Sequence, residues 1–165
     1  MIVYLVGMPG AGKSVVGEEL AGRLGVPFID LDAEIERATG SSVADIFAEE
    51  GEAAFRAREA AALTDASMQD PAVVACGGGD VLEPANRITL RNTGVAVFLD
   101  VPLEDLRARV RPAADRPLIR EEGDLERLLA DREPLYREFA AHVVDGTGTP
   151  GEVADAIVEE LRWNA

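Results

Sequence analysis

"GMPGAGKS", residues 7–14, is the stretch that decides the fold, because an apolar run precedes it and a run with helical spacing follows it. It matches the phosphate-loop pattern G-x-x-x-x-G-K-[ST] at Gly7, Gly12, Lys13 and Ser14. Glycines let backbone N–H groups wrap around phosphate oxygens, and the helix N-terminus adds partial positive charge. Lys13 can reach the β- and γ-phosphates, and the Ser14 hydroxyl can ligate Mg²⁺. The motif therefore predicts a nucleotide site.

Lys13 is also the only lysine in the chain, in which arginine supplies the other 15 basic positions. A compact ammonium fits between phosphate oxygens, whereas the planar guanidinium of arginine is wider and has a fixed geometry. The choice of lysine at this single position therefore agrees with phosphate binding.

The composition limits the classes of partner. A chain of 165 residues, 47% of them hydrophobic, fits one domain with a substantial core. Its net charge of -15 argues against nucleic acid or an anionic membrane surface as a partner. The single cysteine, Cys76, excludes an internal disulfide and fits a reducing compartment. We therefore expect a soluble cytoplasmic protein. As partners we expect small-molecule substrates only, and as the oligomeric state a monomer.

Strand-like and helix-like runs alternate along the chain. Short apolar runs predict five strands, at residues 2–6, 26–32, 72–79, 95–100 and 141–145. Helical patterns separate them, and Pro134 should kink the helix near residues 125–140 or start a new one. This alternation predicts an α/β fold with a five-stranded parallel sheet flanked by helices in three layers. Ligands of such sheets lie at the carboxyl ends of the strands.

Asp30 and Asp32 come at the end of the second predicted strand. In an extended segment, residues i and i+2 point to the same side, so both carboxylates could face the ligand crevice. One could support Mg²⁺ through water, and the other could orient a substrate hydroxyl or act as a base. Alternatively, Asp32 simply caps the helix that follows.

Two further features lie beyond the second strand. Arg56 and Glu59 are three residues apart on a predicted helix, which suits either a surface ion pair or an arginine held by Glu59 and aimed at a carboxylate. The run Gly77–Gly79 ends the third strand and exposes backbone N–H groups to a polar ligand.

The motifs together resemble the shikimate kinase family. The matching pieces appear in the order and spacing of that family and cover nearly the whole chain: "GMPGAGKS", "FIDLDAEIE", "TGSSVADIFAEEGEAAFRARE", "VVACGGG", "DRPLI" and "PLYRE". The resemblance implies a P-loop kinase fold in a single domain, residues 1–165. It also implies phosphorylation of the 3-hydroxyl of shikimate by ATP with Mg²⁺, a step of aromatic amino-acid biosynthesis.

The resemblance also assigns residues to roles. The catalytic residues that it implies are Asp32, Lys13 and Arg116. The ATP-binding residues are the loop positions and two arginines: Gly10, Ala11, Gly12, Lys13, Ser14, Val15, Arg109 and Arg116. The shikimate-binding residues are Asp32, Arg56, Gly77, Gly78, Gly79 and Arg137, with Glu59 supporting Arg56. Ser14 and, through water, Asp30 would hold the metal.

Two segments and two departures complete the resemblance. A helical segment near residues 33–62 would bind substrate, and a lid near residues 112–124 would bring Arg116 over the transferred phosphate. Val15 replaces a threonine that is frequent in the family, and the loop "VVDGTGTPGE" lacks the arginine that often stacks on adenine.

Two alternative functions remain at this stage. One is a kinase of another small hydroxy acid such as gluconate, which a carboxylate clamp would also suit. The other is a nucleotide-binding domain that no longer catalyses.

Overall fold

A five-stranded, all-parallel sheet in the order β2-β3-β1-β4-β5 forms the centre of the molecule. The computed structural model describes residues 1–110 and 116–163. The strands are β1 Ile2–Val6, β2 Phe28–Asp30, β3 Ala72–Ala75, β4 Gly94–Asp100 and β5 His142–Asp145. The predicted five-stranded parallel sheet is therefore confirmed.

Helices connect and flank the strands. They are α1 Lys13–Leu24, α2 Leu31–Thr39, α3 Val43–Glu50, α4 Glu52–Ala66, α5 Pro84–Thr93, α6 Leu103–Arg109, α7 Asp124–Phe139 and α8 Pro150–Trp163, with a 3-10 helix at Asp80–Leu82. Helix α5 was missed by the sequence pattern. Pro134 lies inside α7, which continues on both sides of it, so the expectation of a new segment there was wrong.

The core is built around β1, whose five residues are all at most 1% exposed. Strands of a parallel sheet covered on both faces read as continuous apolar runs, which explains "IVYLV". Helix α1 packs against α8, and α4 packs against α5. Within the described ranges, no helix has the length and apolar character that crossing a membrane requires.

A smaller hydrophobic cluster joins the helices of the segment predicted to bind substrate. Ile35 of α2, Ile46 of α3 and Phe55 of α4 are at most 3% exposed and pack together. The ring of Phe47 lies 4.7 Å from that of Phe55, centroid to centroid. These contacts hold α2, α3 and α4 as one unit beside the sheet.

The topology brings three strand ends to one edge of the sheet. Strand β1 lies between β3 and β4, and β3 pairs with β2. Because the strands are parallel, the residues after Val6, Asp30 and Ala75 meet at the same edge. The phosphate loop, the two aspartates and the glycine run therefore converge there.

Candidate active site

The phosphate loop has the backbone that its glycines allow. Gly10 and Gly12 adopt φ of 81° and 91°, in the left-handed region that disfavours side chains. The Lys13 ammonium donates to the backbone oxygens of Gly7 and Met8, each at 2.9 Å. Burial lowers the pKa of Lys13, so a nearby anion would stabilise its charged form.

Arg109 lies on the outer side of this loop. Its guanidinium donates to the backbone oxygen of Gly10 at 3.4 Å and to that of Gly146 at 3.2 Å. It therefore joins the phosphate loop to the loop between β5 and α8, while Ala11, the next residue of the phosphate loop, is buried in the core.

A cavity of about 490 Å³ opens over the loop. Its lining contains ten of the residues proposed from the sequence: Gly10, Gly12, Lys13, Ser14, Val15, Asp30, Asp32, Gly77, Gly78 and Arg116. Ala11, Arg109 and Arg137 do not line it.

Asp30 and Asp32 reach this cavity by a different geometry from the one expected. The strand ends at Asp30, which is the N-cap of α2 and accepts the backbone N–H groups of Asp32 and Ala33 at 3.1 and 3.2 Å. Asp32 lies in the first turn of α2. The extended-strand argument and the suggestion that Asp32 is the cap were therefore both wrong, because Asp30 has the capping position and turns the chain.

The oxygens near Ser14 suit a magnesium ion. The Ser14 hydroxyl donates a short hydrogen bond to Asp30 Oδ2, so two oxygen ligands point to one place beside Lys13. Mg²⁺ is usually held by one or two carboxylates together with substrate phosphates. In residues 1–110 and 116–163, no group of three or more His, Cys, Asp or Glu side chains could hold a metal by itself.

Asp32 stands at the boundary between two cavities. Burial, and then the neighbouring Asp30, raise the pKa of Asp32, while Lys13 opposes the shift. Its Oδ1 is buried and has no hydrogen-bond partner among the described residues. Because a buried oxygen without a partner is unfavourable, Asp32 Oδ1 is suited to accept a hydrogen bond from a substrate hydroxyl.

The second cavity, of about 290 Å³, is lined by charged residues from α2, α4 and α7. Arg56 donates to Glu59 at 2.5 Å, and Glu59 is only 2% exposed. Burial raises the pKa of Glu59, and the charge of Arg56 lowers it. The pair is therefore a buried one and not the surface pair that the spacing also allowed.

The structure places Arg137 away from this cavity. Its side chain is 45% exposed and pairs with Asp100 at 2.6 Å and with Glu133 at 2.9 Å. Arg132 lies in the cavity instead and is 3% exposed. Five residues of helix separate the two arginines by about 140°, so they face different sides of α7.

A sequence signal for Arg132 did exist. Tyr136 is fully buried, and a residue four positions earlier lies on the same helix face. The sequence could therefore have predicted that Arg132, and not Arg137, lies on the inner face of α7, because Arg132 shares that face with Tyr136.

The glycine run forms a turn between the two cavities. The Gly77 N–H donates to Asp80 Oδ2 at 2.6 Å, and the Tyr136 hydroxyl donates to the backbone oxygen of Gly78. A Cβ on Gly79 would meet the Arg56 guanidinium. Asp80 and Tyr136 hold this turn, although the sequence interpretation gave neither a role at the site.

Tyr136 also belongs to the core. Its ring stacks on Phe98 at 5.1 Å between centroids, and burial raises its pKa to about 12. The phenol therefore stays protonated and able to donate at neutral pH.

Arg116 lines both cavities, together with Asp32 and Gly78. The lid predicted at 112–124 begins in residues 111–115, which lie outside the described residues. The part of the predicted lid from Arg116 to Asp124 is described. In it, Asp124 Oδ2 accepts the backbone N–H groups of Arg120 and Glu121 at 2.9 and 2.8 Å.

Another cavity, of about 540 Å³, lies between α2, α4 and the start of β2. None of the site residues proposed from the sequence lines it. The proposed site residues are therefore found in the cavities of about 490 and 290 Å³ and not in this one.

The chain is similar to known proteins over nearly its whole length. The family model described as shikimate kinase matches residues 9–162. The chain is 51% identical to a shikimate kinase of Halorhodospira halophila, over 97% of this chain and 93% of that protein. It is 48% identical to one of Aromatoleum aromaticum, over 98% and 95% of the two chains.

A solved structure is similar in fold as well. The shikimate kinase from Acinetobacter baumannii in complex with shikimate superposes with a TM-score of 0.95, at 39% identity, over 99% of this chain and 93% of that one. These matches cover nearly the whole chain, and they agree with the phosphate loop and the two adjoining cavities. The chain therefore belongs to the shikimate kinase family, a family of ATP-dependent kinases.

Proposed function

We propose that this protein transfers the γ-phosphoryl group of ATP to the 3-hydroxyl of shikimate, giving shikimate 3-phosphate. One observation carries the proposal: a phosphate-loop cavity and an arginine-lined cavity meet at Asp32, Gly78 and Arg116. A donor phosphate in the first and an acidic acceptor in the second would therefore come together beside a carboxylate and a cation.

The nucleotide side uses the loop. The backbone from Gly10 to Ser14 surrounds the phosphates, and Lys13 leaves the backbone oxygens of Gly7 and Met8 to bind them. Arg109 contacts the phosphate loop at Gly10, and from there it would reach the base of the bound nucleotide. Arg116 neutralises charge that develops on the transferred group.

Ser14 and Asp30 are the residues that would hold Mg²⁺. When bound, the ion neutralises charge on the β- and γ-phosphates. The direct bond between the Ser14 hydroxyl and Asp30 would then be replaced by contacts to the ion and to water.

The acceptor side recognises a carboxylate. Arg56 and Arg132 supply guanidinium groups, which bind carboxylates in a bidentate manner. Glu59 orients Arg56, and Gly78 and Gly79 of the turn offer backbone groups to the ring hydroxyls. Arg132 takes the role that the resemblance gave to Arg137.

Asp32 would accept a hydrogen bond from the 3-hydroxyl and so orient the hydroxyl oxygen for in-line attack on the γ-phosphorus. Phosphoryl transfer depends mainly on such positioning and on charge stabilisation. The raised pKa of Asp32 also suits a group that receives a proton as the new bond forms.

We place the enzyme in the cytoplasm as a monomer. The single cysteine, Cys76, is buried and free, which fits a reducing compartment. The groups proposed to transfer the phosphoryl group, Lys13, Asp32 and Arg116, lie in cavities formed within one chain, so the proposed reaction needs no second copy. Sedimentation of the purified protein at working concentration tests the monomer.

A direct assay tests the reaction. Purified protein is incubated with ATP and Mg²⁺ and with either shikimate or gluconate, and phosphorylated product is identified by mass spectrometry. We expect product from shikimate alone, and product from gluconate alone would reject the assignment. Arg116→Ala should abolish turnover while shikimate binding stays nearly intact, whereas the inactive-domain alternative requires no turnover in either protein.

A further inference from the structure

Asp80 is fully buried at the start of the 3-10 helix that follows the glycine turn. Its Oδ2 accepts the N–H of Gly77 at 2.6 Å, and its own N–H donates to the Gly77 oxygen at 3.2 Å. Asn86, also buried, donates to the Asp80 backbone oxygen at 3.0 Å. This reciprocal pairing fixes the turn that faces the substrate cavity.

Three carboxyl groups converge beside this turn. A Cβ built on Gly77 would lie 2.5 Å from Glu59 Oε1, 3.3 Å from Asp32 Oδ1 and 3.5 Å from Asp80 Oδ2. The cations close by are Arg56, which pairs with Glu59, and Arg132, whose Nη1 lies 3.0 Å from the place of a Gly78 Cβ. A third negative charge here would oppose an anionic substrate.

The second oxygen of Asp80 indicates how that charge is avoided. Oδ1 is buried and has no hydrogen-bond partner within the described parts of the chain. Leaving that oxygen unpaired costs much more for a buried carboxylate than for a neutral carboxyl group, because the charge adds a far larger desolvation penalty. Oδ1 is therefore the oxygen on which a proton would reside.

We propose that Asp80 is a positioning residue that carries a proton: it fastens the glycine turn through Gly77 and, by staying neutral, keeps the carboxylate-binding end of the cavity favourable to an acidic substrate. The inference rests on the proposed function, since it needs an acceptor with a carboxylate. Asp80 acts through Arg56, Arg132 and the turn, and does not itself line the substrate cavity.

Electrostatics supports the neutral form. Burial raises the pKa of Asp80 well above its usual range, and Glu59 and Asp32 raise it further, against the opposing effects of Gly77 N–H and Arg56. The charged and titratable groups that face it come from four parts of the fold: Asp32, Arg56, Glu59, Cys76, Arg132 and Tyr136.

The sign of the pH effect follows from linkage. The folded-state pKa of Asp80 is raised above its unfolded-state pKa. At pH values between the two, the native protein therefore keeps a proton that the unfolded chain has lost. This contribution to stability is complete below the unfolded carboxyl pKa and is lost as the pH rises through the folded one. Asparagine keeps the acceptor for Gly77 but does not titrate.

Asp80→Asn tests the proposal, with Asp65→Asn as the control that removes an exposed carboxylate of α4. KM for shikimate, kcat and Tm are measured for each protein from pH 6 to the alkaline limit of stability. In the native protein, KM should rise at alkaline pH by about tenfold as a third buried charge develops. In Asp80→Asn, which has no proton to lose at this position, this rise of KM with pH should be absent.

The Tm difference between Asp80→Asn and the native protein should grow in favour of the variant as the pH rises, while Asp65→Asn keeps the native profile. Equal pH profiles in native and Asp80→Asn proteins would overturn the proposal, as would a lower KM of the variant already at pH 6. If the native enzyme phosphorylates no shikimate at all, the proposed function fails instead, and the Tm comparison still decides whether Asp80 carries a proton.

Discussion

Arg132→Ala and Arg137→Ala form a matched pair that decides which arginine of α7 binds the acidic substrate. Arg132 is 3% exposed in the substrate cavity, whereas the Arg137 side chain is 45% exposed and pairs with Asp100 and Glu133 outside it. The two changes remove the same side chain from one helix. They should therefore differ in substrate affinity and not in helix propensity.

The magnitude follows from the burial of each side chain. Removing one partner from a buried, hydrogen-bonded charge pair costs about 2–5 kcal/mol. We expect Arg132→Ala to raise KM for shikimate by about 30-fold or more. Exposed ion pairs contribute only about 0–1 kcal/mol, so Arg137→Ala should leave KM unchanged and lower Tm by no more than a few degrees.

The assay is steady-state kinetics at saturating ATP and Mg²⁺, with ADP release coupled to NADH oxidation and shikimate as the varied substrate. KM for ATP and the Tm of each variant serve as checks that the nucleotide cavity and the fold remain intact. Arg132→Lys adds a third point, since it keeps the charge but loses the planar fork. Its KM should lie between those of the native and alanine proteins.

A rise in KM for Arg137→Ala that equals or exceeds that of Arg132→Ala, at unchanged Tm, would refute the assignment of Arg132. An Arg132→Ala protein with native KM would do the same.

Three further predictions concern the glycines and the metal ligand. Gly94→Ala places a Cβ against the backbone of β1 and should lower the free energy of unfolding in urea by about 1–3 kcal/mol. A Cβ on Gly22 of α1 meets no atom, so Gly22→Ala should raise that free energy by about 0.5–1 kcal/mol. Gly79→Ala displaces the guanidinium of Arg56 and should raise KM for shikimate about tenfold at native Tm. Ser14→Ala should raise the Mg²⁺ concentration for half-maximal turnover about tenfold.

Each of these three has an outcome that contradicts it. Equal unfolding free energies for the first two glycine variants would show that the backbone of the sheet can move aside. A native shikimate KM after the third would separate Arg56 from the substrate. An unchanged Mg²⁺ dependence would remove the serine hydroxyl from the metal site.

The nucleotide half of the site was predictable because its chemistry is local. A phosphate loop such as the one from Gly7 to Ser14 would bind phosphate with its own backbone, so consecutive residues define the motif. The run "IVYLV" and the strands after it likewise predicted the parallel sheet, since burial on both faces requires continuous apolar strands.

The acceptor half depends on helix faces and chain turns that a motif does not define. Asp30 ends β2 early because its side chain caps α2, so Asp32 reaches the cavity from a helix and not from an extended strand. The motif "PLYRE" predicted Arg137 as the substrate-binding arginine, although its side chain is exposed and pairs with Asp100 outside the cavity.

The sequence by itself determined the fold and the family and predicted which residues bind phosphate, because each of these depends on the order and spacing of neighbouring residues. The tertiary structure decided that Arg132 faces the substrate cavity and that Asp80 and Tyr136 hold the glycine turn. These contacts join α4, α7 and the end of β3, and only packing around a shared core sets the distances between elements so far apart in the chain.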